Sequence, residues 1–544
     1  MSSLTVPYLM PRVEEVVPDF AMLKDRLTGA SVVEERYTAT QVPSSGDAYA
    51  VGTGGTKLMI IRVANQNDYI DTSTFCLNFL VKANTDPTDV ALDDHIMSLV
   101  DTINVKVGGQ TVEVINNVGH FVNALVQGSM PRQYYEQSGG AEGLYVYSKN
   151  DSSVSALASK IFVAPLSNTA ATVQVDVPQT LSAQPLLTNS TRLQSRWLTG
   201  YHWLKFGRYY SVPLTFLGIG RLPSLFAARN FQDITFEFLF KSNLNACLWT
   251  RLGTDSTWTT GGAQIQISDV TLTYDCCRMS ADYYALMDNE LKMPNGSGVA
   301  YPIDTYQIQP AVLPQSDSNA NIAPSATKVG GLTRIVVAKG TRFLKGVYGT
   351  TKPTVAESST IWRNNSHAGQ FGMASYQVII NSKRYPQLQI TTPSQAFSEL
   401  QKAYNLLGSV ASGSMIDWFN WQGQTVPRAA SISTSDTAVP GANEFQDLLV
   451  PGTKGSSLLG AFSGDESMFQ VGINLEQFLT NQPDAGGINT STSGYQIAIE
   501  LNQAGYQQSD LTTGNVSPGS LTHYVILHFT RVLTLKAGSV EILD

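Results

Sequence analysis

The sequence predicts an all-β chain made of two similar domains in tandem. Three observations lead there. Most apolar residues recur at every second position, the same order of elements occurs twice at a spacing near half the chain, and a proline-rich stretch separates the copies. The 544 residues allow two to four domains at ~150 residues each, or two large β domains of ~200–250.

The elements follow in order. Residues 1–40 precede the first convincing strand and read as an N-terminal arm. There Pro18 breaks any continuous helix and Asp19 can cap a short one, with Phe20, Leu23 and Leu27 on one stripe. A two-turn helix does not hold itself folded in water. The stripe is therefore expected to dock, under its own domain or onto a neighbouring subunit, which makes Phe20, Leu23 and Leu27 candidate subunit contacts.

Residues 41–283 read as the first domain. Phe75, Leu77, Phe79 and Val81 alternate with Cys76, Asn78 and Leu80, a strand with one strongly apolar face. Ile103, Val105 and Val107 form a second such run. Gly108-Gly109 follows, then Val112 to Ile115, which is a hairpin signal because both glycines tolerate positive φ. Val118, Phe121, Val122, Leu125 and Val126 make one stripe of an amphipathic helix. Ile234, Phe236, Phe238 and Phe240 alternate, as do Ile265, Ile267, Val270, Leu272 and Tyr274.

Residues 284–327, with Pro294, Pro302, Pro310, Pro314 and Pro324 among Ser, Asn and Ala, read as a linker. Residues 328–544 read as the second domain. Val378 to Ile380, the turn Asn381-Ser382, Tyr385 to Ile390 and a helix from Pro393 repeat the first domain's hairpin and helix; the turns lie 273 residues apart. Ile497, Ile499 and Leu501 answer Ile234, Phe236 and Phe238 at a spacing of 263. Two long stretches, 129–199 and 409–466, lack periodicity. The second holds Met415, Ile416, Trp418, Phe419 and Trp421, so Trp418, Phe419 and Trp421 are candidates for a satellite core or for subunit contacts.

Composition narrows the function. Charged residues are 14% against a usual ~25%, and uncharged polar residues replace them. That suits a subunit buried by neighbours. A net charge of −8 argues against a chain that coats nucleic acid through its own surface. The four cysteines form no Cys-x-x-Cys pair and read as reduced thiols, and no secretory signal or 18-residue apolar span is present.

Chemistry-bearing motifs are lacking. No HExxH and no G-x-S-x-G occurs, and the six histidines read as structural or surface residues. Asp93-Asp94-His95 reads as a solvated loop. Gly52 to Lys57 has no Walker spacing and runs into a strand rather than a helix. No catalytic residue, metal ligand or cofactor site is expected.

The order of these pieces resembles the double jelly-roll major capsid proteins, those of virophages, polintons and polinton-like viruses among them. The resemblance is carried by Ile70-Asp71-Thr72-Ser73-Thr74 running into the strand to Lys82, by Asp101–Leu125 with Gly108-Gly109-Gln110, and by Ser211–Asp275 with Pro223 to Asn230. Tyr376–Leu407 and Val525–Asp544 carry it in the second half, so it spans about residues 55–544. It implies two tandem eight-stranded jelly rolls, each a pair of packed antiparallel sheets. It also implies a homotrimer of pseudo-hexagonal outline that tiles an icosahedral shell around a DNA genome. Partners would be neighbouring trimers, penton proteins and minor capsid proteins, and the location the virion. The competing reading is a carbohydrate-binding or carbohydrate-active β-sandwich with Trp418, Trp421, Tyr134 and Tyr135 as sugar platforms. A spike or penton protein is a further alternative.

Overall fold

A computed structural model describes residues 33–63, 68–83, 88–92, 95–131, 207–228, 233–244, 248–252, 259–260, 264–285, 299–313, 332–353, 373–404, 469–476, 486–491, 496–503, 509–510, 514–515, 521–536 and 539–543. Positions 53, 223 and 338 are excepted, and residues 141, 406, 414, 416 and 421 are added.

Alternation builds the first roll. Its strands are β1 (Val33–Gln41), β2 (Ala48–Val51), β3 (Lys57–Val63), β4 (Tyr69–Ala83), β5 (Thr88–Leu92), β6 (Val100–Val107), β7 (Gln110–Asn116) and β8 (Arg208–Pro213). β9 (Ile234–Phe240), β10 (Leu248–Leu252), β11 (Thr259–Thr260) and β12 (Ile265–Met279) complete it. One sheet runs β1-β12-β4-β8, with β2 also on β12, and the facing sheet runs β3-β9-β6-β7. β11-β10-β5 form a small third sheet. Phe75, Leu77, Phe79 and Val81 of β4 face Ile103, Val105, Phe236 and Phe238 across the core, all buried. Phe75 meets Phe236 edge-on at 5.4 Å.

The second roll repeats this order. Its strands are β13 (Val299–Leu313), β14 (Leu332–Val337), β15 (Leu344–Pro353), β16 (Met373–Ile380), β17 (Lys383–Ile390), β18 (Val471–Asn474), β19 (Ile497–Gln503), the short β20 (Ser509–Asp510) and β21 (Gly514–Asn515), β22 (Leu521–Lys536) and β23 (Ser539–Leu543). One sheet runs β13-β22-β15-β18 with β23 also on β22, and the other β14-β19-β16-β17. Strand for strand, β13, β22, β15 and β18 answer β1, β12, β4 and β8, and β14, β19, β16 and β17 answer β3, β9, β6 and β7. A helix follows the hairpin in each roll: α1 (Val118–Ser129) and α2 (Pro393–Ala403). Thr392 caps α2, accepting from Gln395 N, with Pro393 in the first turn.

The two hairpin turns have the same form. Gly108 and Gly109 have φ 55° and 79°, and Asn381 and Ser382 have 47° and 66°. Two successive left-handed residues make the mirror-image turn that matches strand twist.

Three expectations need correction. Residues 33–40, assigned to the arm, are most of β1. This edge strand exposes Glu34, Glu35 and Arg36, and charge on an edge weakens the hydrophobic signal. Residues 299–313, assigned to the linker, are β13, paired with β22 along its whole length. Pro302 and Pro310 fit there because β13 has one neighbour in its sheet, so their missing N–H groups interrupt no second ladder. His95 is 1% exposed rather than solvated, its Nδ1 accepting from Met97 N at 3.1 Å at the start of the 3-10 turn Ile96–Leu99.

Candidate functional site

The structure concentrates its buried polar residues where the two rolls meet. From the first roll this seam takes β7, α1, the 3-10 turns Leu214–Phe216 and Ile219–Arg221, and the chain just after them. From the second it takes β13, β15 and β22, with Tyr404 and Gln470.

α1 is read from sequence as an amphipathic helix with a solvated face. It is buried nearly all round: His120, 4% exposed, lies against the second roll, and Asn123, 3% exposed, is bonded to His95 and Ser98 of its own roll. His120 Nε2 hydrogen-bonds Thr350 Oγ1, and its ring lies 4.2 Å from that of Tyr524. Phe121 packs on Tyr306 at 5.0 Å. The Ala124 carbonyl accepts from Gln470 Nε2 at 3.2 Å and from the Tyr404 hydroxyl at 3.4 Å.

β7 contributes Glu113, which is 0% exposed. Its carboxylate accepts from Thr305 Oγ1 of the second roll at 2.6 Å and from Gly218 N of its own at 3.0 and 3.1 Å. Burial pushes its pKa up, opposed by those hydrogen bonds and by the Arg221 and Arg531 charges. Arg221 donates to the Asp304 carbonyl at 2.9 Å and to the Tyr306 hydroxyl at 3.2 Å. Arg531 donates to the Val112 carbonyl, so a second-roll guanidinium caps the edge of β7. Gly218 is required by close approach: a Cβ there would stand 2.3 Å from the Asp304 carbonyl oxygen.

The second-roll side has its own network. Asp304 accepts from Lys345 Nζ at 2.7 Å and from Thr530 Oγ1 at 2.5 Å. Burial alone would raise its pKa, but Lys345, His528 and Arg221 hold it down at about 2. His528 stacks on Tyr306 at 4.5 Å, and burial is the main cause of its low pKa, about 3. His523 bonds Thr351 Oγ1 at 2.8 Å, with burial lowering it to about 4. Burial, then the charges of Lys352, Lys241 and His523, put His120 well below the ordinary histidine value. Such a desolvated network fixes one geometry for its two halves, because any displacement leaves buried polar groups unpaired.

The residues singled out in the sequence lie elsewhere. Gly108 and Gly109 sit at the tip of the β6–β7 hairpin, and Glu113 lies four residues beyond Gly109 along β7. Trp421 is 1% exposed. It meets Phe397 edge-on at 5.4 Å and donates from its indole to the Gln470 carbonyl at 2.7 Å. It is core of its own roll, which removes it both as a subunit contact and as a sugar platform. Phe20, Leu23, Leu27, Trp418, Phe419, Tyr134 and Tyr135 lie outside the described residues. Among the described residues no group of three His, Cys, Asp or Glu side chains is placed to hold a metal ion, and no helix is long and apolar enough to cross a membrane.

Sequence reasoning missed Glu113, Arg221, Asp304 and Arg531. The one available signal was an acid inside the apolar run Thr111-Val112-Glu113-Val114-Ile115, which alternation assigns to the solvent face.

No protein-family model matches the chain, and no curated protein matches its sequence. Solved structures do. PBCV-1 VP54, in a crystal structure fitted into a cryo-EM reconstruction of the virophage Sputnik, superposes with TM-score 0.50 at 10% identity, covering 94% of this chain and 96% of the other. A chain of the Sputnik virophage structure matches with TM-score 0.49 at 12% identity over 94% and 88%, and the mavirus major capsid protein with 0.46 at 9% over 93% and 89%. Strand order within each sheet, the tandem repeat and the VP54 superposition agree: this chain has the double jelly-roll fold, two eight-stranded rolls in series.

Proposed function

We propose that this chain is a major capsid protein. Three copies form a trimer of pseudo-hexagonal outline, and the trimers tile an icosahedral shell around a DNA genome. One observation carries the reading: over 94% of its length the chain has the fold of VP54, a double jelly-roll major capsid protein. The physical properties agree with that role. The seam makes the two rolls one rigid building block. Low charge suits a subunit covered on several sides, and a net charge of −8 leaves genome packaging to other proteins. The first roll ends at β12 and the second begins at β13. Penton and minor capsid proteins complete the shell, the chain resides in the virion, and it has no catalytic task. The test is electron microscopy of the purified protein at increasing concentration. Hexagonal particles that join into sheets or closed shells are expected. Particles of single-chain size under all assembly conditions, or saturable glycan binding, would refute the reading.

A further inference from the structure

The internal repeat supplies one seam and leaves half of a second one open. Within the chain, β7 of the first roll covers β13 of the second, and Tyr301, Ile303 and Thr305 of β13 are at most 1% exposed. Among the described residues nothing covers the equivalent strands at the opposite ends. β1 exposes Glu34, Glu35, Arg36, Thr38 and Thr40, and β17 exposes Lys383, Arg384 and the run 387–389. Leu388 is the most exposed large apolar side chain of the described residues, at 79%.

The ladders align the two ends rung by rung. Met279 pairs with Val33 and Leu535 with Val299, so four residues back on the same strand Asp275 stands where Arg531 does. Asp275 faces Thr38 as Arg531 faces Ile303. Two rungs further along the partner strand, Thr40 stands where Thr305 binds Glu113. On the other side, Val105 and Ile103 pair with Glu113 and Ile115, leaving Val114 between, whereas Val378 and Tyr376 pair with Tyr385 and Ile390, leaving 386–389 between. The extra residues form a bulge with Leu388 on it, at the place of the Glu113 edge.

Charge is reversed on both sides. β7 presents a carboxylate to Arg221 and Arg531. β17 contains no acid and opens with Lys383-Arg384. Around β1 stand Glu34, Glu35, Asp68, Asp71 and Asp275 against Arg36 and Arg278, with Arg36 bridging Asp71 and Asp275. An acidic face around β1 and a strand that opens with two basic residues and then bulges at Leu388, each occupying the position of one half of a known seam, are complementary to each other.

We propose that β17 of one chain docks on β1 of a second copy, in the manner of β7 on β13, with Lys383 and Arg384 facing the acidic cluster and Leu388 filling the seam. The contact is heterologous, so it closes a ring when the rotation per chain allows. It rests on the reading of the chain as a trimer, in which six rolls then alternate around the ring.

The test uses the full chain with Thr40→Cys and Leu388→Cys together, each alone, and a short bifunctional maleimide. Covalent species of two and three chains are expected from the double variant and from neither single one. A double variant that is trimeric by light scattering but yields no linked chains would overturn the docking and leave the trimer standing. A monomeric wild type would overturn both. The variant K383E/R384E alters only exposed side chains, so the chain should stay folded with a cooperative melt while the trimer is lost and the melting temperature falls to that of the single chain. An unchanged trimer fraction would also overturn the docking.

Discussion

Replacing Glu113 asks whether a buried carboxylate holds the two rolls in one geometry. Truncation to Ala removes the acceptor shared by Thr305 and Gly218 and a negative charge that acts on Arg221 and Arg531. Removing one partner from a buried charged network costs about 3–5 kcal/mol. The Gly218 N–H left unpaired accounts for about 1–3 kcal/mol within that figure, not on top of it. Gln keeps the volume and one acceptor oxygen but turns an amide donor toward the arginines, for about 1–2 kcal/mol. Stability should therefore fall in the order wild type, Glu113→Gln, Glu113→Ala. Against a typical folding stability of about 5–15 kcal/mol, the Ala loss is large. Calorimetry reads it directly, with limited proteolysis to find where the chain opens. The wild type should melt in one transition because the seam couples the rolls, and the Ala variant in two. An Ala variant that loses less than about 1 kcal/mol and still melts in one step would refute the assignment.

Other outcomes follow from the same structure. Gly109→Val should destabilise by about 1–2 kcal/mol through its backbone conformation alone, since no neighbour lies within 4 Å of a Cβ there. Ser382→Gly, at the same place in the second roll, should stabilise by about 0.5–1 kcal/mol; thermal melts check both. His120, His523 and His528 are held below their unfolded value of 6.5, so the unfolded chain binds the extra protons. Stability should thus be full above pH 6.5 and fall toward pH 4, by at most about 1.4 kcal/mol per pH unit and histidine. His523→Gln should flatten that fall in urea titrations across the range. Duplex DNA should bind weakly and without sequence preference, and sub-micromolar affinity near physiological salt would contradict the charge argument.

The core strands were legible because an inner strand with one buried face writes its geometry as alternation. β4, β6, β9 and β12 show this, and their apolar positions are the buried ones. β1 and β13 were obscured by opposite features of edge strands. One carries charge on its open side, and the other carries two prolines that an edge tolerates. The seam was illegible for a different reason. Glu113, Arg221, Asp304 and Arg531 stand far apart in the chain, and each alone looks like a solvated residue. Only the packing of one roll on the other converts those surface positions into a core. α1 illustrates it, since His120 marks its polar face in the sequence and lies buried against Thr350 of the second roll in the structure.

The claim that this double jelly roll is the building block of a shell is tested most directly by the mass of the folded protein in solution. Mass photometry at submicromolar concentration, with light scattering at micromolar concentration, should return three times the 58.9 kDa chain, with no larger particle until shells form. A folded protein that stays at 58.9 kDa throughout that range would contradict it.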